Sequence, residues 1–236
     1  MSMMMTLRGL AALLTYPSEE LRAHVGEIRG VLVGEGALSR ADRRRLEPLL
    51  KRSAEEDVLD LQARYSELFD RGRALSLHLF EHVHGDGKER GQAMIDLAEQ
   101  YAAIGIFLDA RELPDFIPVF LEYASCLPEA EARETLAQPA HVFAALAERL
   151  DEKGSDFAAI FHALVALGKG EVSSEEIAEL STKGDEDAQS FEELDAEWEE
   201  APISFEMSGA HAMGGPTGVV AKIRASNRKN DKETDR

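Results

Sequence analysis

Cysteine is nearly absent from this chain: Cys126 is the only one among 236 residues. An internal disulfide is therefore excluded, and a reducing, cytoplasmic compartment is the expectation. No apolar run approaches the roughly 18 residues that span a bilayer, so no stable membrane insertion is expected. The start, Met1-Ser-Met-Met-Met-Thr-Leu-Arg8, lacks the order of charge, apolar run and small-residue cleavage site of a signal peptide. Basic residues are also short. Lys and Arg total 26 against 45 Asp and Glu, giving a formal net charge of -19 and a pI near 4.8. Such a surface repels phosphate backbones and anionic headgroups, which argues against nucleic-acid binding and membrane adsorption and favours basic partners. Catalytic signatures are missing as well: there is no G-x-S-x-G turn, no P-loop and no G-x-G-x-x-G after a strand. No useful stretch between Met1 and Gly168 alternates with period two.

What remains is helical periodicity. Leu7, Leu10, Ala11 and Leu14 share one face; Tyr16-Pro17-Ser18 breaks the run, and Ser18 is placed to cap the next helix. Leu21, Val25, Ile28 and Leu32 follow, ended by Gly34-Glu-Gly36. Ser39 starts a third helix whose Arg40, Arg43, Arg44 and Arg45 read as a solvated face. Val58, Leu61, Tyr65 and Leu68 carry a fourth. Further helices are expected over 88–106, after Pro114, and over 129–137, 139–150 and 155–167. Short Gly, Pro and Ser connections then predict an all-α, single-domain helical bundle over 1–170. From Glu171 to Glu200 thirteen acids face one base, Lys183. Such a composition cannot bury enough apolar surface to offset chain entropy, so residues 171–236 are expected to form a mostly disordered acidic tail.

One segment departs from this regularity. Tyr65 to Asp70 leads, through Arg71-Gly72-Arg73, into Ser76-Leu-His-Leu-Phe-Glu-His-Val-His-Gly-Asp86, and Glu112-Leu-Pro-Asp115 then opens another helix. Helical spacing would put His78 and His82 on one face with His84 and Asp86 nearby, so a metal-dependent enzyme is one reading. The other is recognition. Asp70, Glu81, Asp86, Glu112, Asp115 and Glu122, interleaved with Tyr65, Phe69, Phe80 and Phe116, suit a basic amphipathic peptide, with His78, His82 and His84 on the same surface. Phe80 and Phe116 read equally well as core. Cys126 reads as a small core residue rather than a nucleophile.

Several blocks in this region carry a resemblance. They are Tyr65-x-x-Leu-Phe-Asp70, Leu77-His-Leu-Phe-Glu-His-Val-His-Gly85, Arg90-Gly-Gln-Ala-Met94, Tyr101-x-x-x-Gly105 and Glu112-Leu-Pro-Asp-Phe-x-Pro-x-Phe-Leu-Glu122. Together they resemble the NarJ-type family, the delta-subunit or molybdenum-cofactor assembly chaperones of respiratory nitrate reductase. The resemblance spans roughly residues 7–167 and does not reach the tail. It implies a fold like the redox-enzyme maturation chaperones, a non-catalytic role and no cofactor of its own. It also implies a partner: the apo catalytic subunit, held partly through its N-terminal peptide while the molybdenum cofactor is inserted, with cofactor-delivery proteins as further partners. Where the wider clan places a His after Pro-Asp, this chain has Phe116, so a contact made by that imidazole does not carry over.

Overall fold

The computed structural model describes residues 3–83, 88–109 and 112–169. The expected tail lies outside the described residues, as do His84 and Asp86. Within them the chain forms ten α-helices: α1 Met4–Leu13, α2 Glu19–Gly34, α3 Arg40–Glu55, α4 Val58–Phe69, α5 Leu79–Val83, α6 Lys88–Ala103, α7 Ile117–Ser125, α8 Glu129–Ala137, α9 Ala140–Glu152 and α10 Ala158–Gly168. A single 3-10 turn, Arg73–Leu75, joins α4 to the α5 region.

Local chemistry sets many of these boundaries. The Leu21 N–H donates to Ser18 Oγ (3.1 Å) at the start of α2. Asp42 N–H does the same to Ser39 Oγ (3.2 Å) at α3, and Leu59 N–H to Asp57 Oδ1 (2.9 Å) at α4. Each side chain satisfies one amide that the first helical turn leaves without a partner. The start of α1 has no such neighbour in sequence. Glu35, just past α2, supplies the acceptor instead, taking the N–H groups of Met5 (3.2 Å) and Thr6 (2.6 Å). Its negative charge also complements the positive end of the helix dipole.

The centre of the core is apolar and aromatic. Helix α10 packs against α9, α8 and α3, while α1 lies against α7 and α2. Leu7, Leu10, Leu14, Leu46, Phe143, Leu146, Phe161 and Leu164 have no exposed surface. At Gly168 a Cβ would meet the backbone of Leu136 and Ala137 at 3.1 Å. The missing side chain is thus what lets α10 end directly against α8.

Two aromatic residues expected on a peptide-facing surface belong to this core. Tyr65 and Phe69 are 5% and 7% exposed. Their rings stack with each other at 4.9 Å and with Phe157 at 6.3 and 5.2 Å. The Tyr65 hydroxyl donates to the Leu14 carbonyl (2.9 Å), so even its polar end is turned inward. Cys126 corrects the opposite way. It caps the C-terminus of α7 and is exposed, with an Arg8 guanidinium N–H directed at its sulfur (3.7 Å).

Candidate functional site

The two sequence blocks that stood out meet in space where Leu77 to Leu79 runs beside Asp115 to Ile117. Among the described residues the isolated antiparallel bridge between His78 and Phe116 is the only strand-like pairing. The Leu79 N–H donates to the Asp115 carbonyl (3.0 Å) and the Ile117 N–H to the Leu77 carbonyl (2.8 Å). The imidazole of His78 lies against the Phe116 ring with centroids 5.4 Å apart. Tyr101, at the end of α6, donates its hydroxyl to the Pro114 carbonyl (2.8 Å). Helix α6 is thereby tied to the same turn.

Asp115 does not open onto solvent. It is fully buried, and its carboxylate accepts from His78 Nδ1 (3.1 Å) and from the Phe80 N–H (3.2 Å). Arg90 Nη2 stands 3.9 Å from it and 3.2 Å from Glu81 Oε1. The expectation that Asp115 receives a partner's arginine is therefore corrected: its acceptor sites are already directed at this chain. Glu81 is half-buried and engaged with Arg90.

The histidines do not form the face that helical spacing suggested. His78 precedes α5 rather than lying on it, and His82 Nε2 donates to the Ser76 carbonyl (2.8 Å). Among the described residues no group of three His, Cys, Asp or Glu side chains is arranged to hold a metal. Two of the four residues of the metal-site reading, His78 and His82, are thus turned to this chain's own groups, which does not support a metal-dependent enzyme; the other two, His84 and Asp86, lie outside the described residues. Burial pushes the His82 pKa below its ordinary value; repulsion from Arg149 and His78 adds to this, while the Ser76 bond and Glu81 oppose it.

That shift has a testable sign. The unfolded chain takes up a proton at His82 near pH 6.5, whereas the folded chain takes it up only at lower pH. Stability contributed by neutral His82 is thus complete above about pH 6.5 and lost as pH falls toward the lowered folded value. His82→Gln should flatten this part of the melting temperature-versus-pH curve. A variant whose curve keeps the wild-type slope would place the titrating group elsewhere.

The remaining acids among the described residues are on the surface. Asp70 is exposed and shares a polar cleft of about 310 Å3 with Arg71, Arg73, Ser76 and Glu81. Glu112 and Glu122 are both exposed. The Glu122 pKa is raised by partial burial and by the charge of Glu112, with Arg8 opposing. These two acids therefore lie close enough to feel one another.

A larger apolar groove sits on the other side of α5. It encloses about 350 Å3 and is walled by Leu79, Phe80 and Val83 of α5, Ala93 and Leu97 of α6, and Phe120 and Tyr123 of α7. Thr135, Gln138, Pro139 and His141 close its far end, and Asp96 and Gln100 stand on the α6 wall. Among the described sequence-predicted site residues only Phe80 lines it. Leu97, Phe120 and Tyr123 lie in the helices expected over 88–106 and after Pro114, but periodicity does not distinguish a face covered by another helix from one that borders a groove.

Comparison with known proteins adds the family. The family described as nitrate reductase delta subunit matches residues 35–163, more than half of the chain. The chain belongs to it. Within the delta-subunit family, it is 41% identical over 197 residues to the nitrate reductase molybdenum cofactor assembly chaperone NarJ of Escherichia coli K12, covering 83% of each chain. It is 40% identical over 171 residues to NarW of the same strain, covering 72% of this chain and 73% of that one. A NarJ from Bacillus subtilis is 29% identical over 161 residues, 68% of this chain and 86% of the relative. The fold is shared with a redox enzyme maturation protein from Archaeoglobus fulgidus, with TM-score 0.52 and 22% identity over 72% of this chain and 95% of that one. In this delta-subunit chain the family match takes in α5, α6, α7 and the bridge that joins them.

Proposed function

We propose that this chain is an assembly chaperone of respiratory nitrate reductase. It holds the apo catalytic subunit while the molybdenum cofactor is inserted, and it leaves before the enzyme is complete. The observation that carries this is the 41% identity, over 83% of both chains, to a molybdenum cofactor assembly chaperone. An enzyme that must stay open until a cofactor has entered exposes apolar surface in the meantime, and a dedicated binder keeps that surface from aggregating.

The groove between α5, α6 and α7 is the surface we assign to the catalytic subunit's N-terminal peptide. Its apolar lining suits one face of an amphipathic helix. Asp96 on its wall and the acidity of the chain favour basic residues on the peptide's other face. Cytoplasmic action fits this role, and among the described residues no helix is long and apolar enough to cross a membrane.

Affinity purification of the full chain from cells blocked in molybdenum cofactor synthesis should recover the catalytic subunit. Much less should be recovered from cells that make the cofactor. Equal recovery from both would remove the link to cofactor insertion, and recovery from neither would remove the reading itself.

A further inference from the structure

The geometry points to Asp115 as a positioning residue for peptide capture, one that shapes the groove by capping α5 from the far side of the bridge. The inference rests on the assignment of the groove to the peptide. It begins with the size of α5. Five residues, Leu79–Val83, form too short a helix to persist alone, because nucleation costs more than one turn returns. Its first amides need acceptors. Asp115 supplies two of them: its carbonyl accepts from Leu79 N–H and its carboxylate from Phe80 N–H. A helix cap is normally the residue just before the helix; here it comes from a segment far along the chain.

The same carboxylate fixes two further pieces. His78, immediately before α5, donates to it, and Arg90 near the start of α6 stands between it and Glu81. Phe116 and Ile117 follow it directly into α7. The three walls of the groove therefore converge on one buried side chain that does not itself line the groove. A peptide lying against Leu79, Phe80 and Val83 senses Asp115 through the pose of α5 rather than by contact. Pre-forming that wall spares the peptide the cost of ordering it.

The test uses the full chain and a synthetic peptide of the catalytic subunit's N-terminal residues. Asp115→Asn keeps the shape and removes the charge. It should weaken peptide binding about tenfold or more, equivalent to about 1.4 kcal/mol, and it should lower hydrogen-exchange protection at Leu79 and Phe80 while α10 stays protected. Leu46→Ala serves as the control, because Leu46 is fully buried in α3. It should lower the melting temperature without changing affinity wherever both proteins are folded. If Asp115→Asn does not fold, His78→Gln carries the test, since it removes one of the carboxylate's partners and leaves the Phe80 cap. It should give a smaller loss in the same direction.

Wild-type affinity in either variant, or loss of protection in α10 as large as in α5, would overturn the positioning role. A cycle with peptides substituted at either an arginine or an apolar anchor separates direct contact from action through α5. Coupling of Asp115 to the apolar anchors supports the inference, and coupling to an arginine overturns it. Failure of the wild-type chain to bind the peptide would instead strike the groove assignment.

Discussion

Replacing Phe80 and Val83 together by glutamate should abolish peptide capture and leave a folded, helical protein. Phe80 is half-buried and Val83 is 44% exposed, and both face the groove. The free protein solvates a carboxylate at Val83, so stability should change there by only about 0.5 kcal/mol. Phe80 packs in part against the core, so its replacement should cost about 1–2 kcal/mol, a fraction of what a fully buried aromatic contributes, and the protein should still fold. In the complex the same carboxylates would be forced against apolar surface without a partner. Loss of two buried side chains from the interface removes about 1.5–3 kcal/mol each, so affinity should fall by a factor of about 100 or more. Circular dichroism and calorimetric titration on one sample decide the matter. A folded double variant that binds as before would move the peptide off this groove. The wild-type chain gives a companion measurement. Affinity should decline with added salt as the charges are screened over about 10 Å at 0.1 M, and the apolar contribution should survive.

Phe143→Ala should do the reverse. Phe143 is completely buried, with the rings of Phe120 and Phe161 at 6.5 and 6.4 Å on its two sides. Truncating it leaves a cavity in the centre of the bundle and should cost about 3–5 kcal/mol. That is a large part of the roughly 5–15 kcal/mol that holds a domain together, so the melting temperature should fall sharply. Peptide affinity, measured where the variant is still folded, should be nearly unchanged. A melting temperature close to wild type would show that α9 is not central to the core. A loss of affinity as large as that of the groove variant would show that the floor formed by Phe120 depends on what lies behind it.

The helices were legible because their signals are local. Ser18 and Ser39 cap the helices they were expected to cap, and Glu129–Ala137 forms over its expected span. The Arg40, Arg44 and Arg45 side chains are exposed as read, and Arg43 reaches back to the Val33 carbonyl (3.2 Å). Long-range partners were not legible. Asp115 after Pro114 looked like an exposed acid at a helix start, but its partners His78, Phe80 and Arg90 lie far back in the chain. Nothing in the neighbourhood of Arg149 signals that it is 9% exposed and donates to the Ala74 carbonyl (2.6 Å). Tyr65 fitted both a helical core face and an aromatic surface, Phe69 was read only with the surface, and packing against Phe157 puts both in the core. Most of the groove was invisible for the same reason, since its lining is ordinary apolar helix surface that no other helix covers among the described residues.

The bridge at His78 and Phe116 has a bearing on how this region opens. It closes a long loop containing all of α5 and α6, and the entropy of such a closure grows only slowly with loop length. The loop is fastened at its base by the bridge and along its length by Leu79, Leu97 and Tyr101, which are buried in the same core as Leu75 and Ile117. Opening this segment as one cooperative unit must therefore release these three side chains together with the bridge. Opening it would dismantle two walls of the groove at once and leave α7 in place.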